Sequence, residues 1–168
     1  SIINELYYPE SPYEFSVLSV EILGSAYEQF LGKQITLSKS GKAIIEEKPE
    51  VRKAGGVYYT PQYIVDYIVS NTVGKLCEDK TPKQITDLTI CDPACGSGSF
   101  LLGAYQYLLD WHKNYYSENG KLSKIKKDSP LTIDGNLTTA EKKRILLNNI
   151  YGVDIDVNAV VVTKLSLL

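Results

Sequence analysis

The sequence predicts an α/β fold, a parallel sheet wound with helices, preceded by a helical segment and a small β-hairpin. Three observations carry that expectation. A short β-rich run, Leu88–Cys91, ends at Asp92 and passes through Gly96-Ser97-Gly98 into a helix-forming stretch. A second run, Ile150–Asp154, precedes another apolar, helix-like segment. Between the two lies far more chain than a hairpin needs, with helical spacing, as a crossover between parallel strands requires.

The elements follow in order. Residues 1–12 are polar and aromatic with two prolines, an irregular lead-in. From Phe15, the apolar positions Leu18, Ile22, Leu23, Tyr27, Phe30 and Leu31 recur at helical spacing, with Gly32 as the C-cap. Ile35–Leu37 and Ala43–Glu47 flank Ser38-Lys39-Ser40-Gly41 and predict a hairpin. Lys48 to Gly56 is charged, ends in Gly-Gly and reads as a loop.

A second helix is expected from Thr60-Pro61, with Thr60 as cap and Pro61 at the first helical position. Its apolar face comprises Ile64, Val65, Ile68, Val69, Val73 and Leu76. Ser97–His112 is the third helix, followed by a polar, lysine-bearing excursion over 113–137. Thr138 and Glu141 have the spacing of a capping box opening a helix to Asn148. Asp156 is read as the cap of the last helix. The expected organisation is an N-terminal segment, residues 1–56, and a larger unit, residues 57–168.

Composition excludes several classes. The 168 residues carry a net charge of −2, unlike a free-standing domain that grips nucleic acid through phosphate. No apolar run is long enough to span a membrane, and Ser1-Ile2-Ile3-Asn4-Glu5 lacks the features of a secretory signal. Three cysteines, an odd number, argue against a disulfide framework and for a reducing, cytoplasmic setting. A single histidine, His112, and no CxxC pair argue against a zinc site. The absence of methionine and the apolar run at the C-terminus read as a piece of a longer protein.

The chemistry concentrates in Asp92-Pro93-Ala94-Cys95-Gly96-Ser97-Gly98-Ser99-Phe100. Strand, Gly-x-Gly, helix brings backbone close to a ligand and aims helix N–H groups at it. The third glycine of the dinucleotide fingerprint is missing. Asp92, just ahead of the loop, repels a pyrophosphate but suits an ammonium. At the end of the second strand, Asp154 is placed to take two ribose hydroxyls, and Ile155 to pack on an adenine face. An acid for ammonium, glycines for close approach and an acid for ribose together describe S-adenosylmethionine rather than NAD. Cys91 is read as a buried strand residue and Cys95 as a small loop residue, not as a redox pair. His112 is read as a partner of a helix C-terminal dipole. Tyr105 and Tyr107 are read as half-buried helix residues.

The segment 92–100 resembles the first cofactor motif of adenine-specific DNA methyltransferases. Gly56-Val57-Tyr58-Tyr59-Thr60-Pro61 resembles the motif that precedes it in one subgroup, and Asn149–Asp156 resembles the ribose motif. Val20–Leu31 is similar to the helix leading into fused type IIG-like restriction–modification enzymes. The resemblance implies a Rossmann-like, S-adenosylmethionine-dependent methyltransferase fold and places ten residues at the cofactor. Thr60 contacts the methionine carboxylate, with Tyr58 and Tyr59 lining the approach. Asp92 holds the ammonium; Ala94, Cys95, Gly96 and Gly98 line the methionine and sugar. Asp154 takes the ribose, and Ile155 lies against adenine.

Two features depart from the family pattern. The excursion lengthens the gap before Asp154, and the catalytic Asn/Asp-Pro-Pro-Tyr/Phe motif is absent, since no Pro-Pro pair occurs. No catalytic residue is therefore expected within the chain, which alone should be inactive. Double-stranded DNA is expected to be held through regions outside it, with a specificity or nuclease domain in the same full-length protein. An RNA or protein-glutamine methyltransferase, or a non-catalytic cofactor-binding module, would share the same loop and acid.

Overall fold

The computed structural model describes residues 11, 22, 30, 33–47, 60–119 and 129–168. The chain divides into two compact units, Ser1–Tyr58 and Tyr59–Leu168. In the first, β1 (Lys33–Leu37) pairs antiparallel with β2 (Ala43–Glu47), Ile35 opposite Ile45. The turn closes as the Gly41 N–H donates to Ser38 O at 2.9 Å, with Gly41 at φ 76°. The hairpin matches the sequence expectation. The helix expected from Phe15 falls outside the described residues except for Ile22 and Phe30, both helical and exposed. The loop expected over 48–56 lies outside them as well.

The second unit mixes helices with a short parallel sheet. Helix α1 (Gln62–Val69) runs through a π-helical turn, Ser70–Gly74, into a last turn, Lys75–Cys77. Its buried stripe is Val65, Val69, Val73 and Cys77, whereas Ile68 and Leu76 are exposed. The π turn advances the register by one residue and turns Leu76 out. Pro61, not Thr60, is the N-cap, and its carbonyl accepts the Ile64 and Val65 N–H groups without a side-chain cap.

A short helix, α2 (Pro82–Ile85), has a full capping box between Thr81 and Gln84 and proline in the first turn. Strand β3 (Ile90–Asp92) follows. Helix α3 (Ser99–Asn119) extends seven residues past His112, so the first seven residues of the expected excursion are helical. His112 is consequently mid-helix and fully buried rather than at a helix end, and its Nδ1–H donates to Leu108 O at 2.8 Å. Residues 120–128, including the clustered lysines, lie outside the described residues.

Helix α4 (Thr139–Asn149) leads directly into β4 (Ile150–Gly152), and α5 (Val157–Ser166) closes the unit. The Thr138 hydroxyl accepts the Glu141 N–H, but the box is not reciprocal. Glu141 instead binds Arg144 and accepts from the Tyr116 hydroxyl at 2.7 Å. β3 and β4 are parallel, with Ile90 opposite Ile150 and Asp92 opposite Gly152. The core formed by Val65, Val69, Leu108 and Ile145 joins α1, α3 and α4 beside this pair. Burying such side chains stabilises by about 1.5–3 kcal/mol each. At its edge, the Asn149 Nδ2 donates to Ile85 O at 2.7 Å and Leu88 O at 2.6 Å, tying α4 to the turn before β3. Among the described residues, no helix is long and apolar enough to cross a membrane.

Candidate functional site

The carboxyl ends of two parallel strands are where an α/β sheet offers a crevice to a ligand. Here the chain leaving β3 folds back on the chain leaving β4. The Val153 N–H donates to Asp92 O and the Cys95 N–H to Val153 O, both at 2.9 Å. These bonds extend the strand pairing past its last regular residues and bring residues 92–98 beside 153–156. Gly96 then turns at φ 53° and Gly98 at φ 89°, conformations that side-chain-bearing residues rarely adopt. The loop closes through the Gly98 N–H to Cys95 O at 2.8 Å. Helix α3 starts immediately afterwards, its first N–H groups lacking intrahelical partners.

Two acids and one hydroxyl organise this loop. Asp92 Oδ1 accepts the Ala94 N–H at 3.0 Å; among the described residues its other oxygen carries no hydrogen bond. Asp154 Oδ2 accepts the Gly96 N–H at 2.8 Å, and Oδ1 accepts the Asp156 N–H at 2.8 Å. From α5, the Thr163 hydroxyl donates to Gly96 O at 2.9 Å. Asp156 caps α5, accepting the Asn158 N–H at 2.9 Å, as the sequence indicated. Ile155, between the two acids, is 97% exposed.

The structure thus brings Asp92, Ala94, Cys95, Gly96, Gly98, Asp154 and Ile155 into one corner. Tyr58 and Tyr59 lie outside the described residues. Thr60 is half-buried at the entry to α1, and among the described residues no hydrogen bond joins it to the loop. The cysteines reverse part of their expected placement: Cys91 is exposed and Cys95 buried. Cys91 lies on the side of β3 that faces a cleft of about 280 Å³, lined also by Ile68, Thr72, Asp92 and Phe100. The cleft shares Asp92 and Pro93 with the glycine-loop segment. Burial pushes the Cys95 thiol up, the charges of Asp154 and Asp92 add to this, and the Thr163 hydroxyl opposes it. A raised thiol pKa disfavours the thiolate that a nucleophilic cysteine needs. Thr163 is the residue that sequence reasoning missed.

The sequence that carries this loop and these acids is similar to known proteins. Residues 72–168, more than half of the chain, match the family described as MmeI, DNA-methyltransferase domain. The chain belongs to this DNA-methyltransferase domain family. It is 39% identical over its whole length to the type II restriction enzyme and methyltransferase RM.Eco57I of Escherichia coli, covering 16% of that protein. Over 89% of the chain it is 30% identical to the putative type II restriction enzyme and methyltransferase RM.MjaORFECS2P of Methanocaldococcus jannaschii, covering 14% of it. The adenine-specific methyltransferase BrxX of Escherichia coli is 28% identical over 95% of the chain, again across 14% of the longer protein. The chain spans about a sixth or less of the length of these relatives. The family match runs through the glycine loop, both strands and α5, so every hydrogen bond described around Gly96 lies within the methyltransferase domain.

Proposed function

We propose that the chain is the S-adenosylmethionine-binding half of a site-specific DNA adenine-N6 methyltransferase of a restriction–modification system. Residues 57–168 form the beginning of its doubly wound, Rossmann-like sheet, and 1–56 a separate lead-in. The observation that carries this reading is the 2.8 Å bond from the Gly96 N–H to Asp154. It joins the glycine loop after one strand to the acid after its parallel neighbour, the two halves of a nucleoside-binding corner. The names of the relatives support a methyltransferase in restriction, and that of BrxX an adenine acceptor.

The donor set suits the cofactor. Asp92 has an oxygen left for the ammonium. Each oxygen of Asp154 accepts one N–H and retains a lone pair for a ribose hydroxyl. Ile155, an apolar side chain left almost wholly in water, gains by covering an adenine face. Ala94, Cys95, Gly96 and Gly98 flank the methionine and sugar, and Tyr58, Tyr59 and Thr60 close the carboxylate end. When bound, S-adenosylmethionine supplies an electrophilic methyl group on a sulfonium. The chain's own residues bind and orient it. The groups that hold the adenine amine, and most of the grip on double-stranded DNA, belong to the rest of the protein. Residues 1–168 contain no Pro-Pro pair and carry a net charge of −2.

Calorimetry on the full-length protein tests the cofactor, with S-adenosylhomocysteine expected to bind and NAD not to. Transfer of a tritiated methyl group to adenine in mixed-sequence duplex DNA tests the reaction. Asp154→Ala removes charge-assisted hydrogen bonds and should weaken cofactor binding by about tenfold or more. Asp156→Ala should instead loosen α5. Tighter binding of NAD, or label recovered in RNA or protein but not in DNA, refutes the proposal.

A further inference from the structure

Thr163 lies on the buried stripe of α5, one turn beyond Ala159, and is 4% exposed. Its hydroxyl donates to Gly96 O at 2.9 Å, reaching a loop 67 residues upstream. The N–H of the same glycine is held by Asp154. Both polar groups of Gly96 are therefore fixed, one from the tip of β4 and the other from α5, and the peptides on either side of it have little freedom to rotate. The Thr163 side chain also lies close behind Gly98, where an added Cβ would come within 2.7 Å of Cγ2 and 2.9 Å of Oγ1. Helix α5 thus bonds the loop at Gly96 and lies close against it at Gly98, its two positive-φ residues.

We infer that Thr163 is a positioning residue for the cofactor, holding the Gly96–Gly98 loop in its ligand-ready conformation from behind. The inference rests on the cofactor reading above and deepens it. A loop already ordered before the ligand arrives loses less freedom on binding, so the benefit appears as affinity. Thr163 acts through the loop, by its bond to Gly96 O and its interaction with the Cys95 thiol.

The test compares two near-isosteric variants of the full-length protein. Thr163→Val keeps the branched shape and loses the hydroxyl; Thr163→Ser keeps the hydroxyl and loses the methyl. Binding of S-adenosylhomocysteine should weaken roughly fivefold in Thr163→Val, the worth of one hydrogen bond, and stay within about twofold of wild type in Thr163→Ser. In the methylation assay, Thr163→Val should raise KM for the methyl donor with kcat unchanged. Both variants lower thermal stability, one through a lost bond and the other through a lost buried methyl. A merely structural role would then weaken binding in both, and that result overturns the inference. Equal binding by wild type and Thr163→Val overturns it too. Failure of the wild type to bind S-adenosylhomocysteine is distinguishable from either result, and overturns the cofactor reading and the inference with it.

Discussion

Replacing Gly98 with alanine challenges the loop in two separable ways. Gly98 sits at φ 89°, where a Cβ imposes strain of about 1–3 kcal/mol. The new methyl also meets Thr163, at 2.7 Å from Cγ2, 2.9 Å from Oγ1 and 3.2 Å from Cβ. These are atoms of a short, buried side chain that cannot swing away, and overpacking of this kind costs about 1–3 kcal/mol. Together the two effects approach the whole stability of a typical domain at its lower end, about 5 kcal/mol. Removing the two closest atoms separates them: in a Thr163→Ala background the backbone strain remains, with only the 3.2 Å approach to Cβ left of the clash. The substitutions should therefore couple favourably by about 1–2 kcal/mol. Hydrogen exchange followed by mass spectrometry on the full-length protein reads the local opening free energy of the loop, the start of α3 and α5. Additive losses, agreeing within about 0.5 kcal/mol, would refute the packing argument and leave backbone strain as the sole cause.

Two further outcomes follow from buried polar groups. Asn149 donates to two carbonyls while its Oδ1 has no partner; Asn149→Leu relieves that orphan and strips Leu88 O of its donor, Ile85 O keeping the Leu88 N–H at 3.0 Å, for a net loss of about 0.5–1.5 kcal/mol. Asn149→Asp should cost more, because a carboxylate facing two carbonyls must first take a proton; a milder effect than leucine in chemical denaturation contradicts this. Burial, with the Arg144 charge adding, holds the His112 pKa below its ordinary 6.5, against opposing effects of Leu108 O and Glu141. A folded-state pKa below the unfolded one means the histidine's contribution is complete above about pH 6.5 and is lost as pH falls. The slope is at most about 1.4 kcal/mol per pH unit. Glu141, lowered chiefly by its bond to Arg144, adds a second acid-side loss below 4.5. His112→Gln should flatten the first of these slopes in melts across the window, and an unchanged slope rejects the assignment.

Where local signals decide structure, the sequence was readable. Asp156, Thr138 and the Ser38–Gly41 turn act as their residue types dictate. The capping box of α2 was equally readable as Thr81-Pro82-Lys83-Gln84 yet passed unnoticed, because a four-residue helix carries no periodicity of its own. The π turn of α1 has a different origin. Gly74 is the residue there without a side chain, and a Cβ at its position would sit 3.0 Å from the Tyr107 hydroxyl of α3. Gly74 lets α1 and α3 approach closely at that turn, a contact between helices that propensity within one does not report. His112 was misplaced for a related reason. The polar run after it looked like a loop, but Tyr116 and Glu141 gain a hydrogen bond only if α3 continues to reach α4.

The candidate site divides along the same line. Gly96, Gly98, Asp92 and Asp154 were legible because each stands beside a strand end, where residue type constrains backbone geometry directly. Thr163 was not, since a threonine among valines in a helix signals nothing about a carbonyl 67 residues away. One feature nonetheless marks it once burial is known. α5 turns Val157, Val161 and Leu165 outward and Ala159 and Thr163 inward, the reverse of the usual polarity. A buried threonine on such a stripe must find a partner for its hydroxyl, and a glycine carbonyl turned away from its own secondary structure needs a donor. Each satisfies the other. The loop's shape is thus specified by two residues that follow it in sequence, Asp154 and Thr163, and it cannot be fully set until β4 and α5 have docked.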